Sequence, residues 1–158
     1  MEPLSEIPME KLVPHDLPMA LLDKMTEFQD NRSICQVTIH PEIMFYEENG
    51  VPAFVGLEYM AQAVAAHGGY RSLTQGEPVK VGFLLGTPHL KFYCESFSNG
   101  TTLNVEVLED WGDHQLMRFQ CAIRDTAGNL LMETGLNVFQ PKDLDAYLSK
   151  NRAGQEDS

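Results

Sequence analysis

Cysteine and tryptophan are scarce in this chain of 158 residues, at three and one, and basic side chains are few beside the acidic ones, at 11 Lys plus Arg. Cys35, Cys94 and Cys121 are odd in number, far apart and free of any Cys-x-x-Cys pair. That pattern indicates neither a disulfide framework nor a structural zinc site, and the three are expected to be reduced thiols in a core. The 11 cations face 23 Asp plus Glu, a formal net charge of -12. A surface so short of positive charge disfavours nonspecific nucleic-acid binding and repels anionic membranes.

No stretch approaches the roughly 18 consecutive apolar residues of a spanning helix, so no membrane insertion is expected. Glu2, Glu6 and Glu10 stand where a secretory leader needs basic residues, so the expected compartment is the cytoplasm. Gly-x-Gly-x-x-Gly, Gly-x-x-x-x-Gly-Lys and Gly-x-Ser-x-Gly are all missing, which leaves nucleotide and serine-hydrolase chemistry without support. No His, Cys or carboxylate pair at ligand spacing has a third nearby, so neither a metal nor any other cofactor is expected.

What is present is ordinary globular material, 43% apolar and 22% charged, enough for one domain over residues 1–158 with a polar tail from about 150. The Pro-rich first 23 residues read as a packed segment leading to a strand. Alternation over 25–40, around Asn31-Arg32, fits one strand or a hairpin. Residues 41–52 carry loop signals. The alanine-rich run 54–68 predicts a helix stopped by Gly68-Gly69, polar only at Glu58, Gln62 and His67 and therefore buried on most sides.

Strands are expected at 81–85 and 89–97, and Leu103, Val105 and Val107 share a face of the next one. A turn is expected at Trp111-Gly112-Asp113, then a strand with Met117, Phe119, Cys121 and Ile123 on one face. A turn at 125–129, a last strand over 130–139 and a short helix with a polar tail over 141–158 complete the pattern. One buried helix followed by about four antiparallel strands makes an α+β unit, a helix wrapped by a curved sheet: the hotdog arrangement.

Glu58 is the residue that asks for an explanation, because taking a charge out of water costs several kcal/mol unless it is paired or neutralised. The positive helix end favours its ionised form and desolvation favours its protonated form, which would donate to a leaving hydroxyl. A first-turn Glu that merely complements the helix dipole is the alternative. Gln62, one turn on, shares its face and is placed to orient it. His15 lies between Pro14 and Pro18, which restrict the backbone, and is a candidate general base; a turn-capping His is the alternative. His40 reads as a strand-end surface residue, and His67, nine residues after Glu58 on the opposite helix face, as a packed one. The backbone N–H groups of Val55, Gly56 and Leu57 at the helix start are candidate donors to a substrate carbonyl, with Gly56 allowing close approach.

Residues 14–23, Pro-His-Asp-Leu-Pro-Met-Ala-Leu-Leu-Asp, resemble the opening of β-hydroxyacyl-acyl-carrier-protein dehydratases. Leu57-Glu58-Tyr59-Met60-Ala61-Gln62 is similar to their helix motif, and Gly82-Phe83-Leu84-Leu85-Gly86 to the strand that follows. Within that superfamily the blocks, spread over about 13–95, most resemble the divergent branch from aryl polyene pathways. The resemblance implies a hotdog fold, dehydration of 3-hydroxyacyl chains on acyl carrier phosphopantetheine, and a homodimer with acid and base from different protomers. It carries the catalytic Glu onto Glu58 and the helix Gln onto Gln62.

The catalytic loop His does not carry over, since the corresponding position falls on Met44-Phe45. His15, or else His40, then takes the base role, or the chain is a noncatalytic subunit in a hotdog heterodimer. A thioesterase, with Glu58 activating water, is the third possibility. The carrier is acidic, as is this chain, so Arg71, Lys80, Lys91, Arg118 and Arg124 are candidates for a basic docking patch, which a basic partner would otherwise supply.

Overall fold

A computed structural model describes residues 3–13, 20–77, 82–113 and 115–141, together with 146, 148 and 149. Near the N-terminus two 3-10 turns, Leu4–Glu6 and Met9–Lys11, each follow a proline whose fixed φ starts the turn. Ile7, Met9, Leu12 and Val13 are buried by them, as expected of a packed segment. Strands β1 (Lys24–Gln29) and β2 (Arg32–Thr38) form the hairpin, turning at Asp30 and Asn31. Short β3 (Gly50–Pro52) emerges within the stretch read as loop.

Helix α1 (Gly56–Thr74) corrects the sequence reading at its far end, because it runs straight through Gly68 and Gly69. A Cβ on Gly69 would lie 1.7 Å from the Leu12 carbonyl oxygen. Glycine is there to let the N-terminal segment touch the helix, and its helix-propensity cost of about 1 kcal/mol is offset by packing beyond it. Tyr70 meets Phe28 with ring centroids 4.5 Å apart, and Ser72 is buried. The true stop is Gly76, at φ 69, where Glu77 N–H reaches back to Ser72 O at 2.8 Å.

After the helix come β4 (Phe83–Gly86), β5 (Lys91–Phe92), β6 (Ser96–Ser98), β7 (Thr102–Gly112), β8 (Leu116–Arg124) and β9 (Leu130–Phe139). The single strand expected over 89–97 is thus two. Lys91 and Phe92 pair with β9 and Tyr93 N–H still bonds Leu131 O, but Glu95 O accepts from Ala53 and Ser96–Ser98 joins β3 instead. Trp111 and Gly112 belong to β7, with a bulge between Glu109 and Trp111. The turn starts at Asp113, whose carboxylate accepts from the Gln115 and Leu116 amides at 2.8 Å each.

Among the described residues the main sheet has seven antiparallel strands in the order β1-β2-β7-β8-β9-β4, with β5 also on β9. Its inner face carries the alternation read from sequence. Leu103, Val105, Val107, Phe119, Cys121, Ile123, Met132 and Leu136 are buried against Tyr59, Met60, Ala63 and Ala66 of the helix. Cys35 and Cys121 are buried and Cys94 is half-buried; all three are free thiols. Ala146, Leu148 and Ser149 are helical, and the polar tail lies outside the described residues. Among those described, no helix is long and apolar enough to cross a membrane.

Candidate functional site

Pro52 and the 3-10 turn Ala53–Val55 launch α1, so Glu58 falls in its first turn, at the positive end of the helix. Its side chain is exposed in this chain, which corrects the expectation that the protein takes it out of water by itself. Gln62 is buried and does what its spacing allowed. Its Nε2 donates to Glu58 Oε1 at 3.4 Å, while its Oε1 accepts the Leu21 N–H at 2.7 Å. A side chain fixed from both ends loses its rotamer freedom before any ligand arrives, which is the physical content of an orienting residue.

Gly56 has a different reason to be glycine from the one expected. A Cβ there would meet Met132 Sδ at 2.5 Å and Phe97 Cζ at 3.0 Å, so its bare side faces the core. Its N–H is committed to Ala53 O and Phe54 O, which removes it from the expected set of thioester donors. Val55 is buried beside it. His15 and Lys80 lie outside the described residues. The flanks of 14–19 are both held on α1, Leu12 against Gly69 and Leu21 on Gln62. His40 is exposed, its Nδ1 accepting from Glu42 N–H at 3.3 Å. Met44 and Phe45 are exposed too, Phe45 at φ 71.

Beside Glu58 a groove of about 390 Å³ runs along α1, within the range of ligand pockets. Ala61, Ala65 and Gly68 of the helix form one wall, and Met117, Phe119, Leu136 and Val138 of the sheet form the other. Glu58 and Gln62 stand at its first turn; His67, Arg71 and Ser72 stand toward the end of the helix.

This far end was missed in the sequence because the helix was ended at Gly68. The signal was the i, i+4 spacing of His67 and Arg71. His67 is completely buried, its ring 5.0 Å from that of Phe28 and 6.0 Å from that of Phe119. Its Nε2 lies 3.1 Å from Asp30 O and 3.0 Å from Arg71 Nη2. Arg71 Nη2 also donates to Asp30 O and to Glu109 Oε2, the latter at 3.1 Å. Burial, and next the Arg71 charge, push the His67 imidazole down to about 4, so it is neutral at ordinary pH.

Among the described residues the candidate basic side chains do not gather into one patch. Arg71 faces the groove and is paired with Glu109, whereas Arg118, paired with Asp110, and Arg124 lie on the outer face of β8. Lys91 sits opposite Glu133 on β5. No cluster of three or more His, Cys, Asp or Glu able to hold a metal occurs among the described residues.

The family profile of ApeP dehydratase matches residues 7–149. A chain of the dehydratase heterocomplex ApeI:P from Xenorhabdus doucetiae superposes with a TM-score of 0.82 at 26% identity, covering 92% of this chain and 98% of that one. A hypothetical thioesterase from Streptococcus pneumoniae, solved with coenzyme A, gives 0.59 at 8% identity over 75% of this chain and 84% of its own. Mouse thioesterase superfamily member 2 gives 0.55 at 10% identity over 74% and 80%. These two share the hotdog fold with this chain. No curated protein sequence matches.

Proposed function

The chain belongs to the ApeP-like dehydratase family, and from that premise we propose that it dehydrates 3-hydroxyacyl thioesters on acyl carrier phosphopantetheine to trans-2-enoyl thioesters. The observation that carries this is Glu58 at the mouth of an apolar groove, aimed by a Gln62 that the Leu21 amide holds in place. An apolar trough suits an acyl chain, and a carboxyl at its rim suits proton transfer at the head of that chain.

In the reaction a base removes a proton from C2, the C2–C3 double bond forms, and the C3 hydroxyl leaves as water with a proton given by Glu58. The donor must be the neutral acid. A second hotdog subunit laid over the groove would desolvate Glu58 and favour that form. The outer edge of β4, with Leu84 and Leu85 exposed, offers a sheet edge for such a subunit. His15 is the base in this reading, supported by the anchoring of both of its flanks to the helix that bears Glu58. The acyl carrier would dock mainly on the second subunit, since the candidate cations among the described residues are paired or dispersed.

Reversal gives a clean test. Hydration of a trans-2-enoyl thioester in deuterated water should place deuterium at C2 of the 3-hydroxyacyl product, and Glu58→Gln should abolish it. Incorporation that survives the substitution would remove Glu58 from the mechanism. A second reading, that this chain is the noncatalytic member of a hotdog heterodimer, is favoured by Met44-Phe45 at the loop-histidine position and by the heterocomplex assembly of its structural relative. Incorporation only by a mixed dimer, unaffected by Glu58→Gln in this subunit, would establish it.

A further inference from the structure

The groove changes character along its length. Between Glu58 and Gly68 its helix wall is Ala61, Val64 and Ala65, and the sheet wall facing it is apolar throughout. Beyond Gly68 the lining turns polar, with Arg71, Ser72 and Gln75. The ten residues from Glu58 to Gly68 rise about 15 Å at 1.5 Å each. An extended hydrocarbon, whose bonds of about 1.5 Å zigzag to about 1.25 Å per carbon, covers that length in about twelve carbons.

Arg71 marks the change. It is the one Lys or Arg among the described residues that line the groove, and a long helical side chain leans back over the turn before its own Cα. Its Nη2 donates to Glu109 Oε2 at 3.1 Å, which ties α1 to β7. Glu109 stands opposite Phe119 of the groove wall. A Cβ on Gly112 would lie 3.0 Å from Glu109 Oε1 and 3.1 Å from Met117 Cγ, so the carboxylate neighbours a second residue of that wall. Both partners keep contact with water, their side chains being 33% and 21% exposed. A methyl end laid against the pair strips that water and gives the charges nothing in return.

We propose that the Arg71–Glu109 ion pair sets the acyl-chain length this groove accepts, because the apolar stretch ends where the pair begins. This rests on the acyl-thioester reading, which puts C3 of the substrate beside Glu58. Counted from there, the chain end meets the charges at about C14. The limit is one of desolvation, so it should move when the charges are removed together.

The test measures the affinity of the full chain for saturated acyl pantetheines from C8 to C18, which lack the C3 hydroxyl and do not react. Each two-carbon step should tighten binding about tenfold while the tail still finds apolar wall, and the gain should stop between C12 and C16. Arg71→Leu combined with Glu109→Leu leaves neither charge unpaired and should carry the gain on by at least one further step. Arg71→Lys keeps the pair and should leave the break in place, whereas Gly68→Leu fills the apolar stretch and should bring the break forward by one step. A variant-free measurement stands beside these: a C14 pantetheine with a diazirine at its far end, photolysed on the unsubstituted chain, should attach within residues 68–72 or at Met117. Affinity that rises through C18 without a break, a break unmoved in the double variant, or attachment elsewhere would overturn the proposal. A break that moves as described in a chain yielding no enoyl product would leave this inference standing and refute the dehydratase reading; enoyl product with an unmoved break would do the reverse.

Discussion

Two neighbouring glycines in α1 show how differently the two sides of this helix are used. At Gly69 the chain closes on itself so tightly that a Cβ would collide with the Leu12 carbonyl. At Gly68, one residue earlier, an added Cβ would meet nothing within 4 Å, and the space beyond is the groove. One side of the helix is thus filled by the protein's own N-terminal segment and the inner face of the sheet. The other is left open, and it is there that Glu58 stands with its orienting glutamine. Glu58 keeps an exposed carboxyl there, whereas Arg71, farther along the groove, is tied to Asp30 and Glu109.

The contrast breaks most sharply at Glu58. Glu58→Gln should lower dehydration roughly 10²- to 10⁴-fold, the usual worth of a general acid, while thermal unfolding stays near that of the parent because the side chain is exposed. A matching fall in melting temperature would mean that Glu58 belongs to the structural side after all.

His67 tests the closed side through pH. Its imidazole titrates at about 4 in the folded chain, against about 6.5 when unfolded. Between those values the unfolded chain binds a proton that the folded chain refuses. The contribution is therefore fully present above about 6.5 and is lost as pH falls toward 4, by about 3 kcal/mol in all. Urea unfolding over that window should show the loss, and His67→Gln should flatten it relative to the parent.

Gly69→Ala forces a methyl against backbone and should destabilise by about 1 to 3 kcal/mol, read as a lower urea midpoint with an unchanged slope. Gly68→Leu has room to fold but fills the trough. It should leave the urea midpoint nearly untouched and raise KM for a long acyl thioester about tenfold, as expected if burial of two methylenes is lost. If the two substitutions gave the same phenotype, the distinction between the sides would collapse.

Much of the fold was legible because its signals are local. The alternation of Leu103, Val105 and Val107, the run from Phe119 to Ile123 and the Asp125–Asn129 turn each follow from spacing alone, and Glu58 with Gln62 was marked by polarity in an apolar helix. What was hidden depended on distant neighbours. Gly68-Gly69 reads as a helix stop until Leu12 is seen against it, and 89–97 reads as one strand until β3 and β9 are seen competing for its backbone. Gly56 looked like an opening for substrate and faces Met132 instead. The far end of the groove needed the last two turns of the helix, which the glycine signal had cut away.

The most direct test of the central claim incubates the purified chain with a 3-hydroxyacyl thioester, on carrier protein and on pantetheine, following enoyl product and free thiol together by mass spectrometry. The account predicts enoyl thioester from the natural sequence and its loss in Glu58→Gln. Free thiol without enoyl product, or equal enoyl product from both proteins, would contradict it.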